Sequence, residues 1–105
     1  MYNALMVGVD DAVAASGGRI RVVLGGDRGS ARRAVYELLV AQPDIELVGV
    51  ADDGEVALRL LRSLRPDVAL LDEDMDSFSG GAVARVLASE LPDLRVVVLT
   101  APLPV

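Results

Sequence analysis

Arg65-Pro66-Asp67-Val68-Ala69-Leu70-Leu71-Asp72-Glu73-Asp74-Met75-Asp76 is the stretch that decides the fold. Pro66 pushes the residue before it out of the helical region, so a helix must end at Arg65. Val68 to Leu71 are apolar without interruption. Such a strand is buried on both faces, which is the mark of a parallel sheet sandwiched between helices. The strand then stops at Asp72, and three of the next four residues are acids. In an open α/β sheet, ligands bind at the carboxyl ends of the strands, which is where these acids stand.

Working upstream, Ala57, Leu60, Leu61 and Leu64 recur at helical spacing after Asp52-Asp53-Gly54-Glu55. Asp52 with Glu55 resembles a capping box in which Asp52 is the cap. Before it, Ile45 to Ala51 reads as a strand, and Gln42-Pro43-Asp44 stops a helix spanning Ala31 to Ala41. That helix presents Ala31, Ala34, Val35, Leu38 and Leu39 on one face. The first strand is Ile20 to Leu24, followed by the turn Gly25 to Ser30. Downstream of Asp72, a loop to Ser79 leads into a helix from Gly80 to Leu91. Its stripe is Val83, Val86, Leu87 and Leu91, and Pro92-Asp93 breaks it. A last strand, Arg95 to Leu99, ends at Thr100. The order βαβαβαβ with short connections predicts a doubly wound parallel α/β sheet with right-handed crossovers. Residues 1–18 end in Ala14-Ala15-Ser16-Gly17-Gly18 and are expected to form a disordered N-terminal tail, leaving 19–105 as one domain.

Composition narrows the chemistry. Apolar residues make up 52% of the 105 and aromatics only 3%, so the core rests on Val, Leu, Ile and Ala. The chain has no Cys and no His, and every basic residue is Arg. Disulfides, thiolate and imidazole metal sites, Ser-His-Asp hydrolysis and Lys-based Schiff-base or P-loop chemistry are therefore excluded from this chain. A net charge of −6 argues against nucleic-acid binding by this segment. No apolar run is long enough to cross a membrane, and the N-terminal apolar stretch Ala4 to Val9 lacks a basic flank, so a cytoplasmic location is expected.

The strand ends gather Gly26-Asp27, Asp52-Asp53, Asp72 and Thr100. If the first and third strands are neighbours, Asp27 and Asp72 share one pocket. Two carboxylates held close repel each other, and a hard divalent cation such as Mg²⁺ relieves this. A phosphoryl group drawn to that site would meet Asp72 as a nucleophile and Thr100 as a hydrogen-bond donor.

Here the sequence resembles a known family. Arg21 to Leu24, Pro43 to Gly49, Ala51 to Leu58, Arg65 to Asp72, Glu90 to Asp93 and Val96 to Ala101 are similar, in order and spacing, to the receiver domain of two-component response regulators. The resemblance is nearest to those with a C-terminal helix-turn-helix that regulate transcription. It implies a flavodoxin-like fold, a phosphorelay function without enzymatic turnover, and a sensor histidine kinase as partner. It implies Asp72 as the phosphoacceptor and Thr100 as the switch hydroxyl. Mg²⁺ is implied on Asp27, Asp72 and the backbone carbonyl of Asp74. The chain departs from the family in three ways: Gly26 replaces the first acid of the metal pair and weakens that site, Asp76 takes the place of a Pro, and the family's Lys has no counterpart. Arg28 is the nearest cation expected at the site.

Against the family pattern, the sheet is expected to be incomplete: four strands in the order 2-1-3-4 and three helices, with the fifth strand and last two helices missing. Arg95 to Leu99 would then be an exposed apolar edge, inviting a homodimer or strand swap and leaving the chain marginally stable. The alternative function is a degenerate, non-phosphorylated receiver that serves as an interaction module, or an inactive fragment. Two further rivals rest on local motifs. Gly25-Gly26-Asp27-Arg28-Gly29 is similar to part of a dinucleotide loop but lacks its full glycine set. Asp72-Glu73-Asp74 is similar to the haloacid-dehalogenase phosphatases, with Asp72 as nucleophile and Asp74 as general acid.

Overall fold

The computed structural model describes residues 3–5 and 18–100. Its elements are β1 (Asn3–Leu5), β2 (Ile20–Gly25), α1 (Ser30–Val40), β3 (Ile45–Ala51), α2 (Gly54–Leu64), β4 (Val68–Asp72), α3 (Gly80–Leu87) and β5 (Arg95–Thr100). The sheet order is β1-β5-β4-β2-β3. The four strands β3-β2-β4-β5 are parallel and run in the doubly wound order 2-1-3-4 with three helices, as expected.

Side chains alternate between the two faces, as the pleat requires. On β2, Val23 joins a core with Ala69 and Leu71 of β4 beneath α2 and α3, closed by Ala57, Leu61, Val83 and Leu87. Val22 and Leu24 point to the other face, where Val68, Val97 and Leu99 meet Leu39 of α1.

Each helix boundary has a local cause. Asp53, in extended conformation, accepts from Val56 N at 2.9 Å and starts α2. Its partner position is not Asp52, which the capping-box pattern had favoured. Between two adjacent aspartates, the one whose backbone turns out of the helix is the cap, and that turn falls at 53. Arg65 ends α2 in the left-handed region with φ 46°, and Pro66 prevents resumption. Ser79 caps α3, its Oγ accepting from Ala82 N at 3.1 Å. α3 is shorter than the periodicity predicts: regular helix stops at Leu87, followed by a turn in which Leu91 N still reaches Leu87 O at 2.8 Å.

Two expectations are corrected. Within the segment predicted as a disordered tail, Asn3–Leu5 is a strand, paired antiparallel with β5 in the register Asn3 to Thr100, Ala4 to Leu99 and Leu5 to Val98. Residues 1–2 and 6–17 of that segment lie outside the described residues. Consequently β5 is not open along Val98 to Thr100, where β1 pairs with it, a pairing between distant residues that no local pattern reveals. The second correction concerns α1, where Leu38 is 65% exposed instead of facing the sheet. Val35 and Leu39, four residues apart, carry the contact.

Candidate functional site

The carboxyl ends of β2, β4 and β5 meet in one place. Gly25 is the register partner of Leu71 on β4, and Leu99 is the partner of Asp72. Asp72 is half-buried, and its Oδ1 accepts from the backbone N of Asp74 at 3.0 Å. That bond turns the chain sharply after the strand, an Asx-turn that fixes the carboxylate at the rim. Gly26 stands abreast of Asp72: a Cβ placed on it would lie 3.4 Å from Asp72 Cβ and 3.7 Å from its Oδ2. Asp27 is one residue further on and exposed. Thr100 is half-buried, one residue beyond Leu99.

The loop after Asp72 is held by backbone contacts. Asp76 O accepts from Gly54 N at 2.9 Å, and the approach there is so close that a Cβ on Gly54 would stand 2.2 Å from Phe78 O. Gly80 likewise lies against the Asp72 carbonyl, 2.9 Å from where its Cβ would be. Glu73 Oε1 accepts from Gly81 N at 3.0 Å, placing negative charge at the start of α3, where the helix dipole favours it. Of the three acids in this loop, Glu73 is thus committed to a helix end.

The cations lie on the other side of Gly26. Arg32 Nη1 donates to Gly26 O at 3.1 Å and to Asp52 Oδ1. Arg28 Nε donates to Asp52 Oδ2 at 3.2 Å. The hydrogen bond from Arg32 holds the Asp52 carboxyl below the usual carboxylate range, with the Arg28 charge assisting. Sequence reasoning expected Arg28 as the nearby cation and missed Arg32. One signal was available, since Arg32 falls in the first turn of a helix that begins directly after the Gly26 loop. Asp52, expected as a cap, is instead the acceptor that pins both arginines. The N-cap of α1 is Gly29, with no side-chain bond.

Mg²⁺ requires several oxygen donors in near-octahedral order. Among the described residues no group of three or more metal-ligating side chains gathers. Gly26 contributes no carboxylate, and Arg32 borders the space beside Asp72 where one would project. The side chains present fall short of the set such an ion needs.

A doubly wound sheet whose carboxyl-end rim presents an aspartate defines a class, the flavodoxin-like domains that work at the ends of their central strands. The family model for the response regulator receiver domain matches residues 22–103, and the chain belongs to that family. It is 41% identical over 81 residues to the transcriptional regulatory protein LiaR of Bacillus subtilis, covering 77% of this chain and 38% of LiaR. It is 34% identical over 80 residues to a protein-glutamate methylesterase/protein-glutamine glutaminase of Geobacter sulfurreducens, covering 76% of this chain and 22% of that protein. Among solved structures, the receiver domain of the putative response regulator NarL from Mycobacterium tuberculosis superposes with a TM-score of 0.71 at 40% identity, over 74% of this chain and 63% of that one. The chain therefore spans well under half the length of these curated relatives. The chain is a receiver domain of two-component response regulators, which sets aside the dinucleotide and phosphatase readings. No helix among the described residues is long and apolar enough to cross a membrane.

Proposed function

We propose that the domain accepts a phosphoryl group on Asp72 and passes the signal to an output linked to transcription. The observation that carries this reading is the position of Asp72. It is half-buried at the carboxyl end of β4, between the ends of β2 and β5, with the Gly26 gap at its side and Thr100 one residue past its register partner. An Asp72 carboxylate oxygen attacks the phosphorus of a phosphohistidine on a sensor histidine kinase, or of a small acyl phosphate. The new O–P bond forms as the donor's P–N or P–O bond breaks, and the electron pair leaves with the imidazole or the carboxylate. Thr100 donates a hydrogen bond to the phosphoryl oxygens. The oxygen donors left for Mg²⁺ are Asp27, Asp72 and the Asp74 carbonyl, a set one carboxylate short, so its binding is weak. The setting is the cytoplasm, where such kinases transfer phosphate; beyond its own phosphorylation the domain performs no turnover, and it does not bind DNA itself. Self-association through Val98 to Thr100 of β5 requires β1 to leave that stretch, or to exchange between two copies.

Intact-mass measurement after incubation with acetyl phosphate tests this. Slow labelling by one phosphoryl group is expected in wild type and none in Asp72→Asn. Equal labelling of both removes Asp72 from the mechanism, and no labelling under any condition favours a receiver that acts only as a protein-interaction module.

A further inference from the structure

A groove of about 830 Å³ runs along α1 beside β3, the outer strand of the sheet. Small-molecule sites are clefts of roughly 300–1,000 Å³, mostly apolar, with a few polar groups that fix the ligand. The apolar lining here is Tyr36 of α1 and Val50 of β3, which stay 42% and 37% exposed despite their size. The polar lining is dominated by Arg28, Arg32 and Arg33. Their carboxylate partners are Asp52 and Glu37, which leaves one positive charge in excess. The net charge of −6 opposes an anion from a distance. Salt screens that field beyond about 8–10 Å, so the charges at the groove decide.

The arginine pairs do not use up the donors. Arg28 reaches Asp52 through Nε at 3.2 Å, and Arg33 reaches Glu37 through Nε at 3.4 Å. Among the described residues these are the only hydrogen bonds of the two guanidinium groups, so their terminal nitrogens have donors left to give. Both side chains are highly exposed, at 80% and 81%, and pairs so exposed are weak enough for an anion to share. Arg32 differs: it is 20% exposed and bonded to Gly26 O and Asp52, so it forms a fixed wall. Size selects the occupant. From Gly29 to Glu37 the groove follows eight residues of α1, about 12 Å at ~1.5 Å per residue, the reach of a mononucleotide from phosphate to base. A partner protein needs roughly 20–30 residues on each side, against the seven that line this groove.

We propose that this groove binds a mononucleotide. Arg28 and Arg33 hold the phosphate through their terminal nitrogens, beside Gly29, where nothing stands within 4 Å of a Cβ position. The base stacks on Tyr36 against Val50, since every base offers a flat face to an aromatic ring.

Titration of the whole chain with AMP, in buffer containing EDTA, tests this through the amide signals of residues 28–37 and 50. Saturable shifts confined to those residues are expected at millimolar AMP. Arg33→Gln and Arg28→Gln are each expected to weaken AMP about tenfold. Tyr36→Ala is expected to weaken AMP and adenosine alike while leaving inorganic phosphate unchanged. Arg85→Gln, the same charge change on α3, is expected to bind AMP as wild type does. Circular dichroism of each variant separates a lost contact from a lost fold. Asp72→Asn, two strands away, is expected to bind AMP normally, which keeps this test separate from the phosphoacceptor reading. The proposal is overturned by shifts that do not saturate, by shifts spread over the acidic rim, or by an AMP affinity equal in wild type, Arg33→Gln and Tyr36→Ala. Binding of a Glu-rich peptide at these residues without AMP binding overturns it too, and makes the groove a protein contact.

Discussion

The two faces of the sheet are covered unequally. The core between the sheet and α2 and α3 holds ten buried residues, to which α2 contributes Ala57, Leu58 and Leu61 and α3 contributes Val83 and Leu87. The face under α1 buries seven, and among them α1 contributes only Leu39. Val35 packs on that core partly buried, whereas Tyr36, Leu38 and Val40 of α1 are exposed. The difference divides the labour at the rim. The thick face holds the Asp72 loop through Gly54 and Gly80, where backbone meets backbone, and through the buried side chain of Met75. On the thin side stand the arginines, Arg28 exposed and Arg32 largely covered, both held on Asp52.

The largest test of this asymmetry is a pair of truncations. Leu61→Ala, at a site with 0% exposure, is expected to cost ~4 kcal/mol of unfolding free energy, and Leu39→Ala, at 8%, ~2 kcal/mol, read by urea denaturation. Equal costs would mean that the α1 face is packed as well as its opposite. Next in size is Gly54→Ala. Its new methyl group would collide with the Phe78 carbonyl, and we expect a loss of ~1–3 kcal/mol with disturbance of the 73–79 loop amides in NMR spectra. An unshifted loop would show that the thick face is not what holds it.

On the thin face the expected changes are smaller and one of them is favourable. Gly29 caps α1 without a side-chain bond, and nothing stands within 4 Å of where its Cβ would be. Gly29→Ser is expected to stabilise by a few tenths of a kcal/mol, measured as a shift in denaturation midpoint. The smallest effect is that of pH on the Arg32–Asp52 pair. Asp52 has its folded pKa lowered, so its contribution is present above the unfolded value near 3.8 and is lost as pH falls through the folded one. The stability difference between wild type and Asp52→Asn is expected to vanish on acidification below that value. A difference that persists at low pH would place the role of Asp52 in packing and not in charge.

How much of this was legible beforehand depended on whether the cause was local. Strand and helix limits came close to the structure because Pro43, Pro66 and Pro92 interrupt the chain whatever surrounds it. Of the site, Asp72 and Thr100 could be marked because both terminate apolar strands. The choice of Asp53 over Asp52 as cap was not legible, since it rests on backbone dihedrals that only the packed α2 settles. Nor was the rotation of α1, because Leu38 and Leu39 are equivalent in pattern and differ only in what lies opposite.

By itself the sequence determined a parallel α/β sheet with an acidic rim, since continuous apolar strands between helices have no other way to bury both faces. Only the tertiary structure decided that β1 lies along β5, that Gly26 stands beside Asp72, and that Arg32 is clamped to Asp52. Each of these joins residues distant in the chain or on separate elements, and such pairs meet only where packing brings them together.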